Sequence, residues 1–248
     1  MNKLGLALFA MAGMVVSGAA SAACSDFNYS ALKGASDVIT KGAGGTGGFG
    51  LNMWVTVVDE TGKVCEVYTT GEPGALASRS EWLGSRVISA QKANTANAFS
   101  LNGVAISSGD LYAPVQPGGS LFGLQESNPV DANAAYQGNP TFYGTNLDPL
   151  RGKRVGGVNV FGGGLPLYKG GVKVGAIGVS GDTSCADHAF AWSVRTNLGL
   201  SRPAGVIDFE TINYAGEFDS LGDHPACGVN DPTGNNLGFG PDKAAVAE

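Results

Sequence analysis

Three glycines at a spacing of three, Gly175, Gly178 and Gly181, interrupt a strand that runs from Val172 to Val179 and the break that follows it. Glycine weakens a strand and marks a place where another backbone, or a ligand, comes close. A second cluster, Gly162, Gly163 and Gly164, precedes this strand together with a turn at Pro166. After Ser180-Gly181-Asp182 the pattern changes to a helix from Ser184 to Asn197, opened by a Ser184-x-x-Asp187 box. A sheet strand so poor in side chains has to be covered closely by something. Tight packing of a helix and the approach of a ligand both satisfy the pattern, and the sequence leaves the two open.

The remaining elements are compatible with a mixed α/β chain. Leu51–Val58 and Val64–Thr69 alternate as strands do and form a hairpin across Asp59-Glu60-Thr61-Gly62. Ser78 followed by Glu81 reads as a capping box that starts a helix over residues 81–99. On that helix Ile88, Lys92, Thr95 and Phe99 fall on one stripe. Alanines at 90, 93, 96 and 98 keep the rest thin enough to approach a sheet. Shorter strands are expected at Val158–Phe161, Leu165–Tyr168 and Gly205–Phe209, and an early helix at Tyr29–Lys41 before the glycine run 42–50. Residues 100–150 lack periodicity, and a loop of that length inside a domain is unusual. The tail from 203 to 248 reads as loop-rich.

Residues 1–23 have the pattern of a cleaved secretory signal peptide: Lys3, an apolar run from Leu4 to Val16, and small residues Ala20-Ser21-Ala22-Ala23. Ser21 stands where a lipoprotein signal would carry a branched apolar residue, so lipidation of Cys24 is not the expectation. The mature chain, 24–248, is expected to be one exported domain, periplasmic or secreted, with no membrane span. Removing Lys3 lowers 15 basic residues to 14 against 21 acidic ones, taking the net charge from −6 to −7. An acidic, charge-poor surface argues against nucleic acid as a partner. Four cysteines, Cys24, Cys65, Cys185 and Cys227, are expected to pair in an oxidising compartment. Of the possible pairings, Cys185 with Cys227 would pin the tail beside the glycine segment. No C-x-x-C is present, which argues against a redox motif or a cysteine-rich zinc site.

The inventory for catalysis is thin. His188 and His224 are the only histidines, and no metalloprotease, phosphate-loop or nucleophile-elbow motif occurs. Gly178-Val-Ser180-Gly-Asp182 approaches an elbow but ends in Asp182. Ser180 is read as a turn residue, with a nucleophile paired to His188 as the alternative. Backbone amides over 180–184 could hold a carboxylate at a helix start. Lys92 on an apolar stripe must snorkel, pair or face a ligand, and Asp187 is its natural partner if both helices flank one sheet. Asp208 and Glu210 read as solvated, and His224 beside Pro225 as exposed.

The glycine segment resembles the signature of the GlcG/HbpS haem-binding family. The matching residues are Gly163, Gly164, Pro166, Leu167, Gly175 through Gly181, and Asp187. Lys92, Ala93, Thr95 and Ala96 match the family's helix motif, and Val55–Asp59 with Thr61-Gly62 match its first hairpin. In order, these blocks run from Leu51 to Leu198; the segment 100–150 is longer than the family pattern. The resemblance implies a profilin-like antiparallel five-stranded sheet flanked by helices, assembled as a homo-oligomer, and binding of haem or a related tetrapyrrole. It implies a ligand site at Lys92, Thr95, Gly162, Gly163, Gly164, Ser180, Gly181 and Asp187. His188 is the best candidate for the haem iron, with Tyr68, Tyr143, Tyr168 and Met53 as alternatives. A second function class, an enzyme acting on a small organic acid or aldehyde at the same cleft, stays open, as does an accessory domain without a ligand.

Overall fold

The glycine-bearing strand lies inside a four-stranded antiparallel sheet, in a computed structural model that describes residues 24–39, 48–212 and 224. Strand β1 (Trp54–Asp59) pairs with β2 (Val64–Thr69) on one side and with β5 (Val172–Ser180) on the other. Strand β5 then pairs with β4 (Gly164–Lys169), giving the order β2-β1-β5-β4. The β1–β2 turn is closed by Asp59, whose Oδ1 accepts from Thr61 N at 2.9 Å and Lys63 N at 3.1 Å.

The expected fifth strand is not in this sheet. Val104–Ile106 (β3) and Ile207–Phe209 (β6) pair with each other in parallel as a separate two-stranded unit. The stretch 158–161 forms no strand, because its amides are bonded to side chains: Asn159 N donates to Thr95 Oγ1 and Phe161 N to Asn159 Oδ1.

Both faces of the sheet are buried, which is why its strands alternate between two cores rather than between core and water. On one face Val55, Val57, Ile177 and Val179 meet helix α1 (Tyr29–Asp37) and Phe190 and Val194 of α6 (Ser184–Asn197). On the other, Trp54, Val58 and Ala176 meet Val87, Ala90, Ala93 and Ala96 of α3 (Gly84–Phe99). The thin alanine face let α3 come so close that a Cβ on Gly178 would lie 1.9 Å from Ser89 O and 2.5 Å from Ala93 N. Gly164, opposite Gly178 in the ladder, would place a Cβ 2.4 Å from Lys92 O. Helix packing therefore accounts for these two glycines.

Helix α3 starts later than the capping-box reading put it. A short turn, α2 (Ala77–Ser80), ends at an extended Glu81, whose buried carboxylate accepts from Thr69 Oγ1 on β2 instead of capping the helix. Helix α6 has the expected span, but Thr183 rather than Ser184 is its N-cap. The early helix ends at Asp37, short of the expected Lys41, which lies outside the described residues.

The segment 100–150 holds only short elements, among them α4 (Leu124–Ser127) and α5 (Ala132–Ala135). It covers the outer side of α3 and is fixed there by Arg86. The guanidinium gives Asp148 two hydrogen bonds, 2.9 Å from Nε and 2.5 Å from Nη2, and stacks 3.7 Å from the Tyr143 ring centroid. Cys24 is bonded to Cys65, tying the segment before α1 to β2, and Cys185 is also disulfide-bonded. Cys227, its favoured partner in the sequence, lies outside the described residues, as do residues 1–23, the expected signal peptide. No helix among the described residues is long and apolar enough to cross a membrane.

Candidate functional site

Lys92 crosses from α3 to the start of α6 and donates to Asp187 Oδ2 at 2.7 Å and to Val179 O at 3.0 Å. Both side chains are almost completely buried. The path past the sheet edge exists because residue 163 is glycine: a Cβ there would lie 3.3 Å from Lys92 Cδ, 3.2 Å from Asp187 Cβ and 2.4 Å from Val179 O. Burial pushes the Lys92 ammonium down from its usual pKa and the Asp187 carboxyl up, and each charge pulls the other back.

The other Asp187 oxygen accepts from Asp182 N at 2.9 Å. Asp182 in turn accepts from Phe49 N, Leu51 N and Thr183 N, at 2.6–2.9 Å, fixing the segment that enters β1. Of the amides expected to await a ligand carboxylate over 180–184, those of Asp182 and Thr183 are thus supplied with carboxylates by the protein itself. Ser180 and Gly181 are buried, and a Cβ on Gly181 would lie 2.3 Å from Asn52 O. Thr95, one turn along α3, bonds Gln91 O and Asn159 N.

His188 is the exception in this saturated cluster. Gly163 N donates to its Nδ1 across 3.3 Å, while Nε2 is buried with no well-formed hydrogen bond among the described residues, the Glu210 backbone being its one weak polar neighbour. Burial, reinforced by the neighbouring His224 and Arg195 charges, lowers its pKa to about 3, so the ring is neutral at ordinary pH. Its ring lies 6.2 Å from that of Trp192. The other oxygen and sulfur donors considered from sequence are engaged or deeply packed. Tyr68 OH donates to Asp37, Tyr168 OH donates to Leu101 O at 2.9 Å, Tyr143 lies under Arg86, and Met53 is buried.

The cover over this cluster comes from segments that sequence reading left as loops. His224, expected at the surface, is buried with its Nε2 2.5 Å from Ser184 Oγ, which accepts from Gly162 N at 2.7 Å. Its ring stands 5.7 Å from Tyr112, itself 6.4 Å from Phe161. A Cβ on Gly162 would meet Ser184 O at 2.6 Å, and Ile212 packs on the same glycine. Glu210, expected in water, is fully buried, pairing with Arg195 and with Arg202 Nε at 3.1 Å; Asp208 pairs with Arg202 at 2.7 Å. Arg195 and Arg202, 15 and 8 residues before Glu210, bury that carboxylate, while Asp208 stays exposed.

A family model described as haem degrading protein HbpS-like matches residues 32–195. No curated protein matches the chain. Among solved structures the chain is similar to protein ORFY of Klebsiella pneumoniae, at 22% identity and a TM-score of 0.46, over 70% of this chain and 90% of that one. It is similar to a PduOC–haem complex at 20% identity and 0.46, over 72% and 94%, and to HbpS at 17% and 0.44, over 76% and 97%. With the matched region spanning every strand of the main sheet and all but the last two residues of α6, this chain belongs to the HbpS-like family.

Proposed function

We propose that this protein is an exported binder of haem or a related tetrapyrrole, with His188 as the residue that meets the iron. The family description supports the ligand class. The observation that carries the residue is the buried Nε2 of a neutral imidazole beside a glycine turn, which makes no well-formed hydrogen bond among the described residues. A buried polar atom left without a partner costs about 1–3 kcal/mol, and a ligand that engages it recovers that energy. Imidazole suits iron, and haem supplies the iron centre and the flat apolar body. The chain's own part is to keep His188 neutral and to present aromatic surface from Tyr112 and Phe161.

The free-protein geometry puts the imidazole proton on Nε2, since Nδ1 accepts from Gly163. Ligation through Nε2 therefore needs that proton moved to Nδ1 and the long 3.3 Å bond given up. It also needs Ile212 and His224 to leave Gly162 and Ser184. Lys92 and Asp187 hold each other, so in this reading they position the α6 start and Gly163 rather than grip a propionate.

Titrating the mature protein with haemin tests the proposal. A saturable Soret band that His188→Ala shifts or abolishes is the expected result. Parental spectra and affinity in His188→Ala remove the assignment, and no Soret band at all removes the reading. Followed over time with peroxide, the same band reports whether bound haem is consumed. Light scattering of the same samples checks the homo-oligomer that belongs to this reading.

A further inference from the structure

A second site lies on the other side of the molecule and shares no residue with the His188 cluster. A cavity of about 170 Å³ opens beneath the disulfide-tied N-terminal segment, between α1, the sheet and the turn after α6. Leu32, Val57, Val174 and Leu198 form much of its wall. One acidic side chain, Glu66 of β2, reaches this wall although it is only 3% exposed. Its Oε1 accepts from Arg151 Nη2 at 2.9 Å, and its Oε2 is buried with no hydrogen-bond partner among the described residues. At the rim Lys169 and Asp26 neutralise each other across 3.3 Å.

We propose that this cavity binds a small organic amine, with the ammonium on Glu66 Oε2 and an apolar body of about one ring among the aliphatic walls. Size excludes a tetrapyrrole: drug-sized ligands occupy about 300–1,000 Å³, whereas a cavity of about 150 Å³ holds benzene. The aliphatic wall selects the apolar body. The free carboxylate oxygen selects the polar end, because it can only accept, and a charged donor makes the strongest such bond. An anion of the same size would bring its charge against Glu66. Arg151 does not compete for the ligand, since it is spent on Oε1 and on Cys65 O at 2.9 Å.

The test uses the full mature chain and benzylamine, with toluene and benzoate as the apolar and anionic counterparts. Benzylamine should bind saturably by calorimetry and shift the backbone amide signals of Val57, Glu66 and Val174, while benzoate does neither and toluene binds more weakly. Glu66→Gln should weaken benzylamine about 10- to 150-fold, the range of a lost charge-assisted contact. Val174→Phe, which fills the cavity and keeps the carboxylate, should abolish binding, so the proposal stays testable should Glu66→Gln fail to fold. Absence of saturable benzylamine binding, as expected of a cavity that holds only water, overturns the proposal. So does binding that shifts amides elsewhere, or that survives Val174→Phe unchanged.

Discussion

Lys92 and Asp187 stand on helices that pack against opposite faces of the sheet, yet their side chains meet at 2.7 Å beside Val179 of β5, just ahead of the start of β4. The pair is a clasp around the sheet edge, and removing one half leaves the other charge buried. Lys92→Met should cost about 3–5 kcal/mol in urea unfolding, and the double variant Lys92→Met/Asp187→Leu should recover much of that loss. Equal stability of the single variant and the parent would show that the clasp is not formed.

Gly178→Ala puts a Cβ against the α3 backbone, where neither partner can swing away. A loss of about 1–3 kcal/mol, or failure to fold, is expected in thermal melts. Gly34→Ala on α1 is the control: nothing lies within 4 Å of its Cβ, and helix propensity should add about 0.5–1 kcal/mol.

The Cys24–Cys65 bridge closes a separation of 41 residues. In the chain-entropy model that contributes about 4 kcal/mol, so Cys24→Ser/Cys65→Ser should lower the melting temperature by many degrees. A melting temperature unchanged by the double substitution would mean that the bridge adds nothing net.

His188 makes the ligand-free protein sensitive to acid. Its folded pKa, about 3, lies below the unfolded value near 6.5, so between these limits the unfolded chain binds more protons. Its contribution is therefore fully present above about pH 6.5 and lost as pH falls towards 3, at up to about 1.4 kcal/mol per pH unit. Asp187 acts in the opposite sense, since its raised folded pKa favours the native state at lower pH. His188→Gln keeps Asp187, so the difference between the two pH–stability curves isolates the histidine. Parallel curves from pH 7 to 4 would refute the assignment.

Local patterns carried the elements that local forces decide. Strand β2 and helix α6 occupy the expected spans, although Thr183 rather than Ser184 caps α6, and Lys92 reached the partner its apolar surroundings demanded. The glycines announced a close approach without saying of what; the α3 backbone fills two of those places. What sequence could not show were pairings between distant segments. Asp148 docks on Arg86, Glu210 on Arg195, and His224 on Ser184, separations over which periodicity is silent. The same holds for β3 and β6, which found each other across about a hundred residues instead of extending the main sheet.

The lid formed by Ile212 and His224 has a kinetic meaning. On the proposed reading, a ligand directed at His188 competes with the Ile212 and His224 side chains, already in place on Gly162 and Ser184. If the lid is open only one part in a hundred, apparent affinity is about a hundredfold weaker than the exposed pocket could offer. On the proposed reading capture is then slow, release is equally obstructed, and whatever loosens Ile212 and His224 from Gly162 and Ser184 sets the rate of exchange.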